Sequence, residues 1–231
     1  MSEDALIECE CPYCKSALTF LAEQAPTIQE CPSCSETIIV PDVSGASCGR
    51  VLLPITTDRL RIRPLYDGDR DKLLELMADE EAFQFTDEYP LSEQGVDQWL
   101  EEASSPKLFM RPAVLSLGIE ISANGLLIGF ARIHLLETEL RLAAIWLLVG
   151  SEHRKQGFGT ETARAIVRFA IKVLKQHRVS VGVDCRNAAG IRMLEKAGMR
   201  AEGEFLEDHF VKGEWRDTAF FGLLERDLGA D

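Results

Sequence analysis

The chain has 231 residues, of which 46% are hydrophobic, and this length accommodates one domain of about 170 residues together with a small module. Its formal net charge of −13 argues against a general binder of nucleic-acid backbones, which needs a basic face, whereas an acidic surface either serves solubility alone or attracts a cationic substrate. No run of about 18 uncharged apolar residues is present, and residues 1–4 lack the basic start of a secretory signal, so we expect a cytoplasmic protein that does not associate with membranes.

The first 44 residues contain two Cys-x-x-Cys pairs, Cys11 with Cys14 and Cys31 with Cys34. Two such pairs supply four thiolates in two tight turns, which suits tetrahedral zinc because the ion packs four sulfur donors at about 2.3 Å. A pair of disulfides and a redox-active Cys-x-x-Cys are the alternatives, but the missing export signal and a reducing cytosol argue against both. We therefore expect residues 1–44 to form a zinc-ribbon-like module that depends on its metal, since so small a module buries little core.

Three further cysteines are left over. Cys9 lies close enough to the first pair to be a minor alternative ligand, whereas Cys48 and Cys185 are expected to be ordinary thiols. Small and polar residues flanked by prolines follow the cysteine pairs, and they predict a linker over residues 45–56. Residues 57–231 then form the second domain.

The second domain begins with a predicted strand near residues 60–65. Helical patterns follow near 69–79 and 92–103, and the serine that opens the second of these helices is a candidate N-cap. Strands at about 113–122 and 126–135, joined by an Ala-Asn-Gly turn, form a predicted hairpin.

A strand, a glycine-bearing loop and a helix then follow one another. An apolar run at 143–149 predicts the strand, and a helical pattern extends over 161–176. Between them Gly157 and Gly159 permit positive φ and close approach of a ligand, so free N–H groups at the positive end of a helix dipole can hold a phosphate. Glycines after strands more often only form turns, so these two glycines alone do not establish a phosphate site, and the surrounding sequence must also be considered. The residues expected around the anion are Arg154, Lys155, Gln156, Gly157, Phe158, Gly159 and Thr160.

Another strand near 179–183 and a short helix over 188–196 follow, closed by Gly198. With a last pair of strands, the order of elements predicts an α/β (α+β) fold, in which a mixed central sheet carries flanking helices. The zinc ribbon is a separate addition at the N-terminus.

Several of these segments resemble one known family. The motif Arg154-x-x-Gly157-x-Gly159, Asn187 and the segment 195–199 are similar to the acetyl-CoA-binding core of the GNAT superfamily of N-acetyltransferases. The opening segment 57–65 and the closing segments 202–204 and 213–217 are similar to the branch that acetylates the N-termini of ribosomal proteins. The resemblance extends over about residues 57–226.

The resemblance implies a site for acetyl-CoA. In the family, the strands equivalent to residues 145–149 and 179–183 splay apart and the pantetheine arm enters the gap. The backbone of Leu147, Leu148 and Val149 would then pair with the arm as an added strand does, and an N–H near Leu148 would stabilise the oxyanion. Asn187 would bond the same arm, although an Asn after a strand is also a common helix cap.

The resemblance also implies transfer of acetyl to a primary amine, with a protein N-terminal α-amine as first choice of acceptor and a small amine as second. Direct attack requires orientation, proton removal and oxyanion stabilisation. His134 and Asp184 are the candidate bases, and each could instead be a hydrogen-bonded structural residue. The family's usual Tyr, Ser and acidic positions hold Leu194, Gly190 and Ala144 here.

The absence of the family's usual Tyr, Ser and acidic residues from these three positions suggests a rival function. The chain could be a non-catalytic acyl-CoA-binding or scaffold protein, in which the zinc ribbon recruits a protein partner. We expect no nucleic-acid partner in either case. Asp87, Glu88 and Tyr89 lie where the family builds its acceptor wall, and they are either part of that wall or a solvated loop.

Overall fold

The computed structural model describes residues 6–11, 14–21, 27–34, 37–40, 49–50, 53–86, 90–104, 113–137 and 140–228. Its first strands form two small sheets. One is an antiparallel pair, and the other has three antiparallel strands in the order β3-β4-β5. The strands are β1 (Leu6–Glu10), β2 (Ala17–Leu21), β3 (Thr27–Glu30), β4 (Thr37–Val40) and β5 (Gly49–Arg50).

The rest of the described chain builds one eight-stranded sheet. Its strands are β6 (Ile55–Thr56), β7 (Leu60–Pro64), β8 (Ala113–Ile121), β9 (Leu127–Glu137), β10 (Leu142–Val149), β11 (Arg178–Asp184), β12 (Arg200–Val211) and β13 (Glu214–Leu224). They lie in the order β12-β13-β11-β10-β9-β8-β7-β6, and only β10 and β11 are parallel. The predicted mixed sheet is therefore confirmed.

Two parts of the predicted linker at 45–56 belong to sheets. Gly49–Arg50 pairs with β4 in the N-terminal sheet, and Ile55–Thr56 pairs with β7 in the large sheet. The change from one sheet to the other falls between Arg50 and Ile55, and the boundary of the module stays a prediction.

Two pairs of helices cover the two faces of the large sheet. The helices are α1 (Arg70–Met77), α2 (Glu93–Ser104), α3 (Phe158–Lys172) and α4 (Ala188–Ala197). One core joins the sheet to α3 and α4, and the other joins it to α1 and α2. In α3 the apolar residues Ile166, Val167 and Ala170 are at most 1% exposed, as a wide helical stripe predicts, and each large side chain contributes about 1.5–3 kcal/mol by leaving water.

The bounds of α3 differ from the expected 161–176. It begins at Phe158, because Gly157 turns the chain with a φ of 87° and the Phe158 ring then enters the core. It ends at Lys172, since Lys175 adopts a φ of 57°, which an α-helix excludes. The first helical turn therefore carries Gly159, which sequence reasoning had left in the loop. None of the described helices combines the length and the apolar character needed to cross a membrane.

Candidate active site

The parallel strands β10 and β11 separate part of the way along their length. They pair only from Leu142 opposite Arg178 to Ala144 opposite Ser180. Beyond that point β10 continues to pair with β9, and β11 with β13. The edge of β10 that faces the gap therefore offers backbone groups without a strand partner there. A cleft of about 570 Å³ opens at this gap.

The cleft brings together most of the residues that the sequence predicts to contact CoA. Its lining includes Leu147, Leu148, Val149, Arg154, Lys155, Gly157, Gly159, Thr160 and Asn187. Gln156 and Phe158 do not line it: the Gln156 amide bonds the Glu152 carbonyl at 3.0 Å, and the Phe158 ring is 7% exposed. These two residues can reach the cleft only through their backbone.

The loop before α3 has the geometry of an anion site. Lys155 and Gly157 have φ values of 61° and 87°, and Gly157 caps α3 without any side-chain hydrogen bond. The first intrahelical bond runs from the Glu161 N–H to the Gly157 carbonyl at 3.0 Å. The N–H groups of the first helical turn thus have no intrahelical acceptor, and they stand at the positive end of the helix dipole.

Arg59 holds this loop from the far side. Its Nη1 donates to the Gln156 carbonyl at 3.0 Å, and its guanidinium lies 4.5 Å from the centroid of the Phe158 ring. It also pairs with Glu161 at 2.6 Å, so the one carboxylate in the first turn of α3 is already engaged. Sequence reasoning missed Arg59, because its partners lie about a hundred positions away in the chain.

The Arg154 side chain binds protein groups beside this loop. Its Nε donates to the Val149 carbonyl at 3.0 Å, and its Nη2 bonds Asp79 at 3.0 Å. We expected this side chain to add positive charge for phosphate, but Asp79 offsets much of that charge. Lys155 is exposed and lines the cleft.

Asn187 serves as a helix cap and also lines the cleft. Its Oδ1 accepts the Gly190 N–H at 2.9 Å, which caps α4 and leaves the Nδ2 group out of that bond. A Cβ atom at Gly190 would lie 2.8 Å from this Nδ2. The glycine at the family's usual serine position therefore allows the Asn187 side chain to lie as it does.

Neither predicted base lines the cleft. His134 is half-buried on β9 opposite Ala144, which is the last β10 residue paired with β11 before the strands part. Burial, aided by the charge of Arg132, holds the pKa of His134 below its usual value, so the imidazole is neutral at pH 7 and can accept a proton.

Asp184 lies in an ion-pair cluster. It is 8% exposed and accepts hydrogen bonds from Arg186 at 2.7 Å and from Arg216 at 3.1 Å. Although burial opposes ionisation, these hydrogen bonds and charges hold the pKa of Asp184 below its usual value. A carboxylate with two guanidinium partners is a weak base, so this arrangement favours the structural role for Asp184. Leu194 is 2% exposed in the core, so it does not reach the cleft.

Three charged residues of the cleft were not among the predicted site residues, although Lys196 lies in the segment 195–199 that resembles the acetyl-CoA-binding core. Arg192 and Lys196 both line it, one helical turn apart on α4. Glu81 is the single carboxylate among the described residues of the lining. The spacing of Arg192 and Lys196 after Asn187 was a signal for a second anion site, whereas nothing in the sequence near Glu81 marked it.

The cysteine cluster of the N-terminal sheets contains all four predicted ligands. The sulfur atoms of Cys11, Cys14, Cys31 and Cys34 lie within 4.8 Å of one another, and none of the four is disulfide-bonded. Two of the separations, Cys11 to Cys34 and Cys14 to Cys31, are 3.8 and 3.7 Å. A tetrahedron with metal–sulfur bonds of about 2.3 Å has edges of about 3.8 Å, whereas a disulfide needs about 2.05 Å. The donor set therefore fits a tetrahedral zinc ion.

The remaining described cysteines, Cys9 and Cys185, are not among the four clustered sulfur ligands. Cys9 is disulfide-bonded, so it does not supply the alternative ligand that its position in the sequence suggested. Cys185 is a free thiol as expected. Cys48 lies outside the described residues, as do Asp87, Glu88 and Tyr89 of the expected acceptor wall.

Known proteins resemble the chain in sequence and in fold. "Probable N-acetyltransferase YjcK" of Bacillus subtilis (strain 168) is 32% identical over 111 residues, which are 48% of this chain and 61% of that protein. "Uncharacterized N-acetyltransferase YnaD" of the same strain is 25% identical over 174 residues, which are 75% of this chain and 98% of that protein. The crystal structure of spermidine N-acetyltransferase from Vibrio cholerae in complex with CoA and spermine matches with a TM-score of 0.66 at 20% identity, covering 75% of this chain and 100% of that one.

A family model described as an acetyltransferase (GNAT) domain matches residues 59–200. This range is more than half of the chain, and it contains every element from β7 to α4. It therefore includes the splayed strands, the loop before α3 and the Asn187 cap. The protein belongs to the GNAT acetyltransferase family and is an acyltransferase.

Proposed function

We propose that this N-acetyltransferase carries acetyl from acetyl-CoA to a primary amine in the cleft between β10 and β11. The observation that supports this most is the combination of an unpaired strand edge with an uncapped helix start in one cleft. The strand edge suits the amides of a pantetheine arm, and the N–H groups before and within the first turn of α3 suit a pyrophosphate.

The chemistry then needs little from side chains. The cleft holds the amine against the thioester, a backbone N–H near Leu148 donates to the oxyanion that forms, and collapse gives the amide and CoA thiolate. The bound ammonium first gives one proton to a base, which we propose is His134 acting through water. The neutral amine then attacks the thioester, and the second proton that its nitrogen loses as the amide forms passes to the departing sulfur. Asp184 is the second base that the sequence suggested, and its ion pairs make it the weaker candidate.

For the acceptor we propose a cationic primary amine, either a protein N-terminal α-amine, as in the ribosomal branch, or a small amine. Glu81 supports a cationic acceptor, because it is the only carboxylate lining the described part of the cleft, where Lys155, Arg192 and Lys196 supply positive charge. The name of the Vibrio cholerae neighbour makes spermidine a natural probe for the small-amine class.

The test is release of CoA thiol from acetyl-CoA in the presence of spermidine, spermine and short N-terminal peptides. We expect turnover with at least one class, and a raised KM for that amine in Glu81→Gln because the ammonium loses its partner. Tight CoA binding without thiol release from any amine in the panel would instead favour the non-catalytic binding protein.

The His134 proposal predicts a pH profile. Only neutral imidazole accepts a proton, so kcat/KM should fall as pH drops through the pKa of His134, which burial holds below its usual value. His134→Gln should remove this acidic limb and lower the rate at pH 7 by about 100-fold. His177→Gln, at an exposed histidine paired with Glu225, is the matched control and should keep the limb. An unchanged profile in His134→Gln would assign the base elsewhere.

Arg192 and Lys196 are proposed to bind the 3′-phosphate of CoA. Wild type should then bind CoA about tenfold more tightly than 3′-dephospho-CoA, since one charge-assisted contact contributes about 1.4 kcal/mol. Arg192→Gln/Lys196→Gln should remove that preference, measured by calorimetry, while Arg168→Gln, outside this cleft, should keep it. Equal affinities of wild type for the two ligands would contradict the assignment.

For the N-terminal part we propose a zinc-ribbon-like module that holds one zinc ion through Cys11, Cys14, Cys31 and Cys34. A zinc ion there would be structural, since four thiolates complete its coordination. We retain as proposals that the module recruits a protein partner and that the protein is cytoplasmic.

A further inference from the structure

One segment of the cleft wall is held at both ends by charged groups. It runs from Asp79 to Thr86 and supplies Glu81, Ala82, Gln84, Phe85 and Thr86 to the lining. At its start, Asp79 pairs with Arg154 of the loop that follows β10, at 3.0 Å. The wall is thus tied to the β10 side of the cleft.

The other end of this wall segment is hydrogen-bonded to side chains of the β12–β13 hairpin. The Phe83 carbonyl accepts a hydrogen bond from Lys212 Nζ at 2.6 Å, and the next carbonyl, of Gln84, accepts one from Arg216 Nη1 at 2.8 Å. Lys212 lies at the turn between β12 and β13, and Arg216 lies on β13. Two cations from one hairpin therefore hold two consecutive carbonyls.

Arg216 is itself fixed in place. It is 9% exposed, and besides Gln84 it bonds Asp184 at 3.1 Å and Glu214 at 2.8 Å. Asp184 is held in turn by Arg186. The carboxylate that the sequence suggested as a base thus orients the guanidinium that reaches the cleft wall.

We propose that Lys212 and Arg216 are positioning residues that set the acceptor side of the cleft. This rests on the proposed function, in which the segment with Glu81 receives the amine. Charge-assisted bonds to carbonyls fix the backbone at Phe83 and Gln84, and the 1% exposed ring of Phe83 anchors the same residue in the core. Together with Asp79 they determine where Glu81 stands relative to the thioester.

Lys212 and Arg216, with the two carbonyls that they hold, are called the clamp below. The clamp should affect the binding of the amine and of CoA differently. CoA is expected to meet the loop before α3, the β10 edge and α4. Lys212 bonds Phe83, and Arg216 bonds Gln84, Asp184 and Glu214, and these four partners lie outside the elements that meet CoA. Loosening the clamp should therefore affect the amine and spare CoA. A residue that only stabilised the fold would affect both substrates through the loss of folded protein.

Lys212→Met is the cleaner variant, because Lys212 is exposed, whereas removal of Arg216 would take a guanidinium partner from the buried Asp184 carboxylate. Hydrogen exchange of peptides spanning residues 79–86 should become about tenfold faster, and the acceptor KM with spermidine or an N-terminal peptide should rise about tenfold, as loss of one such bond allows. The Kd for CoA and the Tm should stay at their wild-type values. Lys212→Arg should restore both readouts, and Lys175→Met is the matched control with a positive φ of its own.

The outcomes separate this proposal from the proposed function. Unchanged exchange over 79–86 in Lys212→Met overturns the clamp, whether or not any amine is acetylated. Faster exchange with an unchanged acceptor KM also overturns it, because the wall would then not position the amine. Absence of turnover with every amine in the panel counts against the proposed acceptor, and hydrogen exchange alone then decides the clamp.

Discussion

Replacing Gly157 with valine should weaken CoA binding by at least about 100-fold, which is about 2.7 kcal/mol of binding free energy. Gly157 has a φ of 87°, a conformation that a β-branched residue almost never adopts. A Cβ atom there would also lie 3.3 Å from Arg59 Nη2, on the side chain that fixes the loop. Valine thus distorts the loop whose N–H groups are proposed to meet the pyrophosphate, and it places methyl groups beside them.

The control for this variant is Gly125→Val. Gly125 has a φ of 71°, and a Cβ atom there would meet nothing within 4 Å, in the turn between β8 and β9. Both variants should lower the Tm by a similar amount, because each places valine at a positive φ. Only Gly157→Val should lose CoA binding, measured by calorimetry. Wild-type affinity in Gly157→Val, at equal Tm, would place the phosphate site elsewhere and remove the main support for acetyl transfer.

Much of the large domain could be predicted because its signals are local. Apolar alternation and helical stripes located the strands and helices, and the Ser92 hydroxyl does accept a hydrogen bond from the Gly95 N–H, at 3.2 Å, near the start of α2. The start of α3 was misplaced by three residues, because a glycine loop and a first helical turn have the same composition. The parting of β10 from β11 followed from the family resemblance and from no pattern of residue types.

The site was less predictable, since its geometry depends on partners far apart in the chain. Arg154 was expected to face a phosphate, but Asp79, 75 positions earlier, takes one side of its guanidinium. Asp184 stands at the end of a strand, as a base in the cleft would, but Arg216 reaches it from β13, 32 positions later. Residue type and spacing predict which groups can do chemistry, whereas pairing between distant elements decides which of them are free to do it.

The second large expected effect is the loss of zinc from variants of the cysteine cluster. Purified protein should contain about one zinc ion per chain, and Cys31→Ser or Cys34→Ser should reduce this to near zero, measured by elemental analysis. Hydroxyl groups are poor replacements for thiolates as zinc ligands, and the three remaining thiolates leave the fourth coordination position of zinc without a protein thiolate. Cys185→Ser, at a half-buried free thiol near α4, is the matched control and should keep the metal.

Loss of the metal should unfold the N-terminal sheets while the acetyltransferase fold persists. The buried cluster of that part contains Cys9, Cys11, Leu18, Cys31 and Ile38, so only two of its described members are aliphatic side chains. It shares none of these residues with the two cores of the large sheet, and so small a core needs a further constraint to stay folded. Hydrogen exchange in Cys31→Ser should therefore rise over residues 6–40 and stay at wild-type values over residues 113–224, with CoA affinity unchanged. Protein that has lost its zinc but keeps its protection over residues 6–40 would show that the N-terminal sheets stand without the metal, and the structural role proposed for zinc would then be wrong.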